Sequence, residues 1–123
     1  MKKMSGLLIS IFIIFMAGCG LKGPPPSTEL MSAYFGPSPE NYQQIITNHF
    51  SRNLFEPYSA VYEFTIPKKA YIYNFEYIYG WGVLGTINAK NRFGGYVGAK
   101  GFTILIRDGR VIDDIMKLNF IEQ

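Results

Sequence analysis

The stretch Ala70-Tyr71-Ile72-Tyr73-Asn74-Phe75-Glu76-Tyr77-Ile78-Tyr79-Gly80-Trp81-Gly82-Val83 (residues 70–83) places a large apolar or aromatic side chain at every second position. Extended backbone turns successive side chains to opposite faces, so a period of two lines Tyr71, Tyr73, Phe75, Tyr77, Tyr79, Trp81 and Val83 along one face. The other face is mixed. Gly80 and Gly82 mark a bulge, a bend or a close backbone approach, which argues against one uninterrupted strand from 70 to 91. Alternation accounts for burial of the rings as the core of a sheet and equally permits a binding surface; both readings stand at this point.

The pattern continues in both directions. Upstream, Val61-Tyr62-Glu63-Phe64-Thr65-Ile66 reads as a strand closed by the break Pro67-Lys68-Lys69. Downstream, Phe93-Gly94-Gly95-Tyr96-Val97-Gly98 is a turn-rich connection from a strand ending near Ala89 to one beginning near Phe102. Gly101 to Arg107 forms that strand, and Asp108-Gly109, the strongest hairpin signal in the chain, returns it into Val111-Ile112. Ile115 to Ile121 reads either as a continuation of the last strand or as a turn of helix.

Before Pro57 the period is 3.6 instead. Ser38-Pro39-Glu40 reads as N-cap, first helical residue and acidic first turn. Tyr42, Ile45, Ile46, His49 and Phe50 then fall on one helical stripe, and Pro57 disfavours helix at Glu56. The expected fold is α+β: one N-terminal amphipathic helix packed on a small antiparallel β-sheet.

In front of this domain, Met1-Lys2-Lys3 and the apolar run Leu7 to Ala17 read as a signal peptide, too short for the roughly 20 residues that a spanning helix requires. Cys19 is the chain's single cysteine. No internal disulfide is possible, and a lone cysteine at the end of an apolar leader fits no packing role. The expected organisation is a signal peptide over 1–18, a lipidated Cys19 with a Pro/Gly-rich tether over 19–37, and one domain over 38–123. Gly23-Pro24-Pro25-Pro26-Ser27-Thr28 favours an extended polyproline path.

Met16-Ala17-Gly18-Cys19 resembles the lipobox of bacterial lipoprotein precursors, with Met16 where leucine is usual. The resemblance implies diacylglycerol on the Cys19 thiol, cleavage before it and acylation of the new amino terminus. Gly20, where inner-membrane retention uses Asp, implies sorting to the outer membrane; the anchored domain is expected to face the periplasm. Cys19-Gly20-Leu21-Lys22-Gly23-Pro24 is similar to the start of the short lipoproteins that help mature the lipopolysaccharide translocon, until Pro25-Pro26 replaces the Leu-Tyr of that family. Residues 54–64 and 87–98 resemble a recurring small bacterial and phage-associated domain with a "dP-SA-y-F" element and an NAKN-(S/R)-(F/Y)-GGY-G motif. That resemblance implies a fold and leaves activity open.

The formal charge of +3 includes Lys2 and Lys3 of the leader, and from Cys19 onward 10 basic side chains face 9 acidic ones. Near-neutrality argues against nucleic-acid binding, which rests on a basic face. With one histidine, His49, neither His-paired zinc nor a conventional nucleophile system is expected, and His49 reads as a satisfied residue of the helix stripe. The glycines at 94, 95, 98 and 101 do not open a helix after a strand, so no nucleotide cofactor is expected, nor any other. The leading expectation is a non-enzymatic interaction module, anchored to the bilayer through acylated Cys19, that meets an envelope protein or glycan through Asn88, Lys90, Asn91, Arg92 and Tyr96. The alternatives are a structural or maturation subunit of an outer-membrane machine, dependent on residues 20–26, and a glycan-active enzyme using carboxylates such as Glu56, Glu63 and Glu76.

Overall fold

The computed structural model describes residues 23–114 and 118–121; the leader and Cys19 lie outside them. The described chain is a small α+β domain with two helices, α1 (Ser27–Ser32) and α2 (Tyr42–Ser51), and a 3-10 turn at Pro57–Ser59. Its antiparallel sheet has six strands: β1 (Val61–Phe64), β2 (Lys68–Asn74), β3 (Glu76–Asn88), β4 (Lys100–Arg107), β5 (Arg110–Asp113) and β6 (Asn119–Phe120).

The 13-residue β3 organises the rest. Along one edge runs β4, from Trp81 opposite Ile106 to Ile87 opposite Lys100, with β5 beyond it. Two strands share the other edge end to end: β2 covers residues 76–82 and β1 covers residues 85–88. At the seam Thr65 supplies the pairing, donating its backbone N–H to the Leu84 carbonyl at 2.8 Å and accepting the Leu84 N–H on Oγ1 at 2.9 Å. The break in the chain is confined to residues 65–67, so Lys68 and Lys69 belong to β2 and not to the break.

Residues 70–83 turn back on themselves at Phe75, a left-handed residue with φ 61°. The hairpin sets Tyr71 opposite Tyr79 and Tyr73 opposite Tyr77, so the rings share a face although the chain has reversed. Gly80 and Gly82 lie inside β3 without a bulge, and close approach explains them. A Cβ on Gly82 would stand 2.9 Å from the Ala70 Cβ and 2.8 Å from the Phe120 ring, under any real contact. The Asp108-Gly109 turn has positive φ at both residues, 53° and 74°, as a two-residue hairpin that follows the sheet twist requires. The C-terminal Asn119-Phe120 pairs with β2 at the far edge and does not extend β5.

Helix α2 starts at Tyr42, later than Ser38-Pro39-Glu40 suggested. Pro39 is buried in the fold and is not the first helical residue, and Asn41 occupies the cap position without a side-chain bond. Ile46 of α2 reaches zero exposure against Val83, Phe102, Ile104 and Ile106, with Tyr42, Ile45 and Phe50 around it. Burying each such aliphatic side chain contributes about 1.5–3 kcal/mol. The opposite face of the sheet buries Ala70, Ile72 and Leu105 beneath Ile112 and Leu118.

The aromatic half of the first face is covered by residues 23–36, a segment read from the sequence as extended tether. Tyr77 Oη donates to the Gly23 carbonyl at 2.8 Å and Trp81 Nε1 to the Gly36 carbonyl at 3.0 Å. The Phe35 ring meets Tyr79 edge-on at 5.3 Å, and Tyr34 Oη donates to Asp108 at 2.8 Å. Residues 27–32 are helical and Pro25 is buried, so from Gly23 onward this segment forms a strap on the sheet. A face of rings left in water would forfeit the burial that holds so small a domain together, and the strap supplies it. Beneath the strap the Tyr79 hydroxyl is buried and makes no well-formed hydrogen bond among the described residues; burial, reinforced by the nearby Glu29 carboxylate, pushes it up to about 12.

Candidate functional site

The far end of β3 carries the two motifs that stood out in the sequence, and the fold joins them. Ser59, last residue of the 3-10 turn, is the joint. Its backbone N–H and its hydroxyl both donate to the Glu56 carbonyl, at 3.0 and 2.7 Å, which closes the turn that Pro57 begins. The same hydroxyl accepts the Lys90 N–H at 3.0 Å, and the Ser59 carbonyl accepts the Tyr96 hydroxyl at 3.0 Å.

The loop from Asn88 to Gly98 is held by its own amides. Asn91 Oδ1 accepts from the Phe93 N–H at 2.9 Å and the Gly95 N–H at 3.3 Å, while the Asn91 carbonyl accepts from Gly94 at 3.0 Å. Asn88 Oδ1 accepts from the Gly98 N–H at 3.0 Å. Gly94 and Gly98 take φ of 79° and 97°, conformations that other residues reach only at a cost. Lys90 and Tyr96 pair across the loop, with the Lys90 ammonium 5.5 Å from the Tyr96 ring centroid.

The five residues expected at a site therefore come together and divide in role. Asn88 and Asn91 shape the loop, Tyr96 ties it to Ser59 and carries the Lys90 cation on its ring, and Arg92 projects from the exposed tip. Three exposed rings, absent from the sequence-derived set, complete the surface: Tyr58 is fully exposed, Phe93 is 89% exposed and Phe55 is 67% exposed. Ser59 was absent from it as well. The signal was present in Leu54-Phe55-Glu56-Pro57-Tyr58-Ser59-Ala60, but nothing local says that this turn braces a loop some thirty residues on.

His49 lies half-buried in a separate polar cleft of about 550 Å³ with Asn48, Arg52 and Arg110, and its Nε2 is 3.0 Å from Asp114 Oδ2. It touches the Phe50 ring at 5.1 Å and has a polar partner, the ordinary state of a residue on a helix stripe. Glu63 pairs opposite Thr86, ten residues along β3 from Glu76. That is about 33 Å of strand, several times the separation that glycan cleavage needs between two carboxylates. Among the described residues no three His, Cys, Asp or Glu side chains gather as metal ligands would.

No protein-family model matches the chain, and comparison with curated proteins and with solved structures finds no significant similarity.

Proposed function

We propose that this chain is an outer-membrane lipoprotein, acylated on Cys19, whose periplasm-facing domain is a non-enzymatic interaction module for an envelope protein. The observation that carries the reading is the Ser59 joint: three of its atoms lock the 3-10 turn and the Asn88–Gly98 loop into one unit. A braced loop that leaves Tyr58, Phe93 and Arg92 in water holds, ready-made, the residue types that dominate protein contacts. Ordering such a loop beforehand removes part of the entropic cost of binding. The rival reading as a maturation factor requires residues 20–26 to engage another assembly, whereas Gly23 and Pro25 are held on the domain's own sheet, so it draws no support from this geometry.

Crosslinking mass spectrometry on intact cells tests the reading, comparing the native chain with Tyr58→Ala, Arg92→Ala and Phe93→Ala. These exposed positions should change stability by less than about 0.5 kcal/mol. Crosslinks to one defined envelope protein should nevertheless fall by roughly tenfold or more, the loss expected of a hot-spot side chain. Crosslinks that persist in all three variants would move the site elsewhere, and loss of glycan adducts alone would make the partner a glycan.

A further inference from the structure

We infer that the β2–β3 hairpin tip is a second membrane contact: the Phe75 ring enters the interface of the bilayer that holds Cys19, and the domain stands with β3 upright and its motif end pointing away. The inference rests on the lipid-anchor reading above. It is carried by two independent observations at one place.

The first is the tip itself. Phe75 is 93% exposed and sits at φ 61°, a conformation that glycine or asparagine takes readily and that a bulky ring takes rarely. An aromatic side chain at such a turn contributes nothing to the core and adds backbone strain, a combination met where strain serves function. Tyr71, Tyr73 and Tyr77 cluster behind it, with ring centroids 5.0 Å apart for Tyr73 and Tyr77, which are tilted, and 5.7 Å for Tyr71 and Tyr77, which meet edge-on. Amphipathic rings of this kind favour the boundary between headgroups and acyl chains.

The second is where the tether ends. Tyr77, two residues from Phe75, holds the Gly23 carbonyl at 2.8 Å. Cys19 is four residues before Gly23, and four residues of fully extended chain reach at most about 14 Å. A lipid on Cys19 therefore keeps the bilayer surface within that distance of the Gly23 contact, at the Phe75 end of β3. The opposite end of the strand is twelve residues away, about 40 Å. The charge at the tip is Glu76, whose carboxylate stays with the headgroups while the ring goes in, so a zwitterionic surface suits it better than an anionic one.

The test uses the lipidated mature protein in vesicles of phosphatidylcholine and phosphatidylethanolamine. A nitroxide is placed at 75 through Phe75→Cys or at 93 through Phe93→Cys, with acylation of Cys19 checked by mass and folding by the melting temperature. Burial of an apolar group favours the bilayer by at least about tenfold, so a label at 75 should be about tenfold less accessible than one at 93 to an aqueous relaxation agent, and more accessible to oxygen. Equal aqueous exposure at 75 and 93 on an acylated, vesicle-bound protein would overturn the tip contact and leave the anchor standing. An unacylated Cys19 with no vesicle binding would overturn both. Should the substitution at 75 lower the melting temperature, the same label placed through Asn74→Cys reads the same depth and decides in the same way.

Discussion

The two ends of β3 hold exposed aromatic side chains by opposite means. At the motif end, Phe93 and Tyr58 project from a loop and a turn that side-chain hydrogen bonds from Ser59, Asn88 and Asn91 keep in shape. At the tip end, Phe75 projects from a strained backbone backed by a tyrosine cluster and the 23–36 strap. A polar scaffold can be dismantled one bond at a time, whereas a packed aromatic face fails through loss of burial. The two ends should therefore respond differently to the same kind of truncation.

Trp81→Ala should do the most damage at the aromatic face. The substitution removes a half-buried ring together with the bond to Gly36 and should destabilise the domain by about 3 kcal/mol. Limited proteolysis should then cut within residues 23–36 before anywhere else. Protection of that segment in the variant would mean that the strap is held by contacts other than the aromatic face.

A smaller and more local effect is expected from Ser59→Ala. It leaves the Lys90 N–H without its acceptor and removes the hydroxyl bond to the Glu56 carbonyl while the backbone bonds of the 3-10 turn stay, for about 1–2 kcal/mol. Hydrogen exchange should quicken at Lys90, Gly95 and Gly98 and stay unchanged across β2 and the first half of β3. Uniform acceleration over the sheet would show that the two ends are not energetically separate.

At the tip end a weaker effect is expected. The Tyr79 hydroxyl, held at about 12 by burial and then by Glu29, keeps its proton where the unfolded chain would lose it near 10.0. Native protein thus binds more protons than unfolded protein between those values. Its contribution to stability is complete below pH 10 and is lost as pH rises towards 12. Tyr79→Phe removes both that loss and a buried hydroxyl that makes no well-formed hydrogen bond, so the alkaline unfolding midpoint followed by circular dichroism should rise while neutral stability stays about the same. A midpoint that does not move would assign alkaline sensitivity to other groups, with Tyr62 and Tyr71, both also raised by burial, the first to examine.

Alternation over 70–83, the Asp108-Gly109 turn and the stripe of Tyr42, Ile45, Ile46 and Phe50 were legible because each is a local consequence of backbone period or turn chemistry. Phe75 as a turn was not legible, since an aromatic ring is a poor local choice for positive φ and only the pairing of β2 with β3 places it there. The strap was hidden for a related reason. Its prolines and glycine indicate an extended path, while its contacts reach residues 45, 54 and 74 positions away in the chain. For the candidate site, sequence motifs pointed to Asn88, Lys90, Asn91, Arg92 and Tyr96 but could not divide residues that shape the loop from those that face water. Ser59 needed the structure, because its hydroxyl meets Lys90 across 31 residues.

Periodicity and turn preference act over a few residues, and they suffice for the α+β class, the Asp108-Gly109 hairpin and the neighbourhood of the motif loop. Only packing settles that residues 23–36 cover the tyrosine face, that β1 and β2 share one edge of β3, and that Phe75 and the Tyr58 and Phe93 rings lie at opposite ends of that strand. Those outcomes depend on burying surface contributed by distant parts of the chain, and no local pattern encodes which distant surface will arrive.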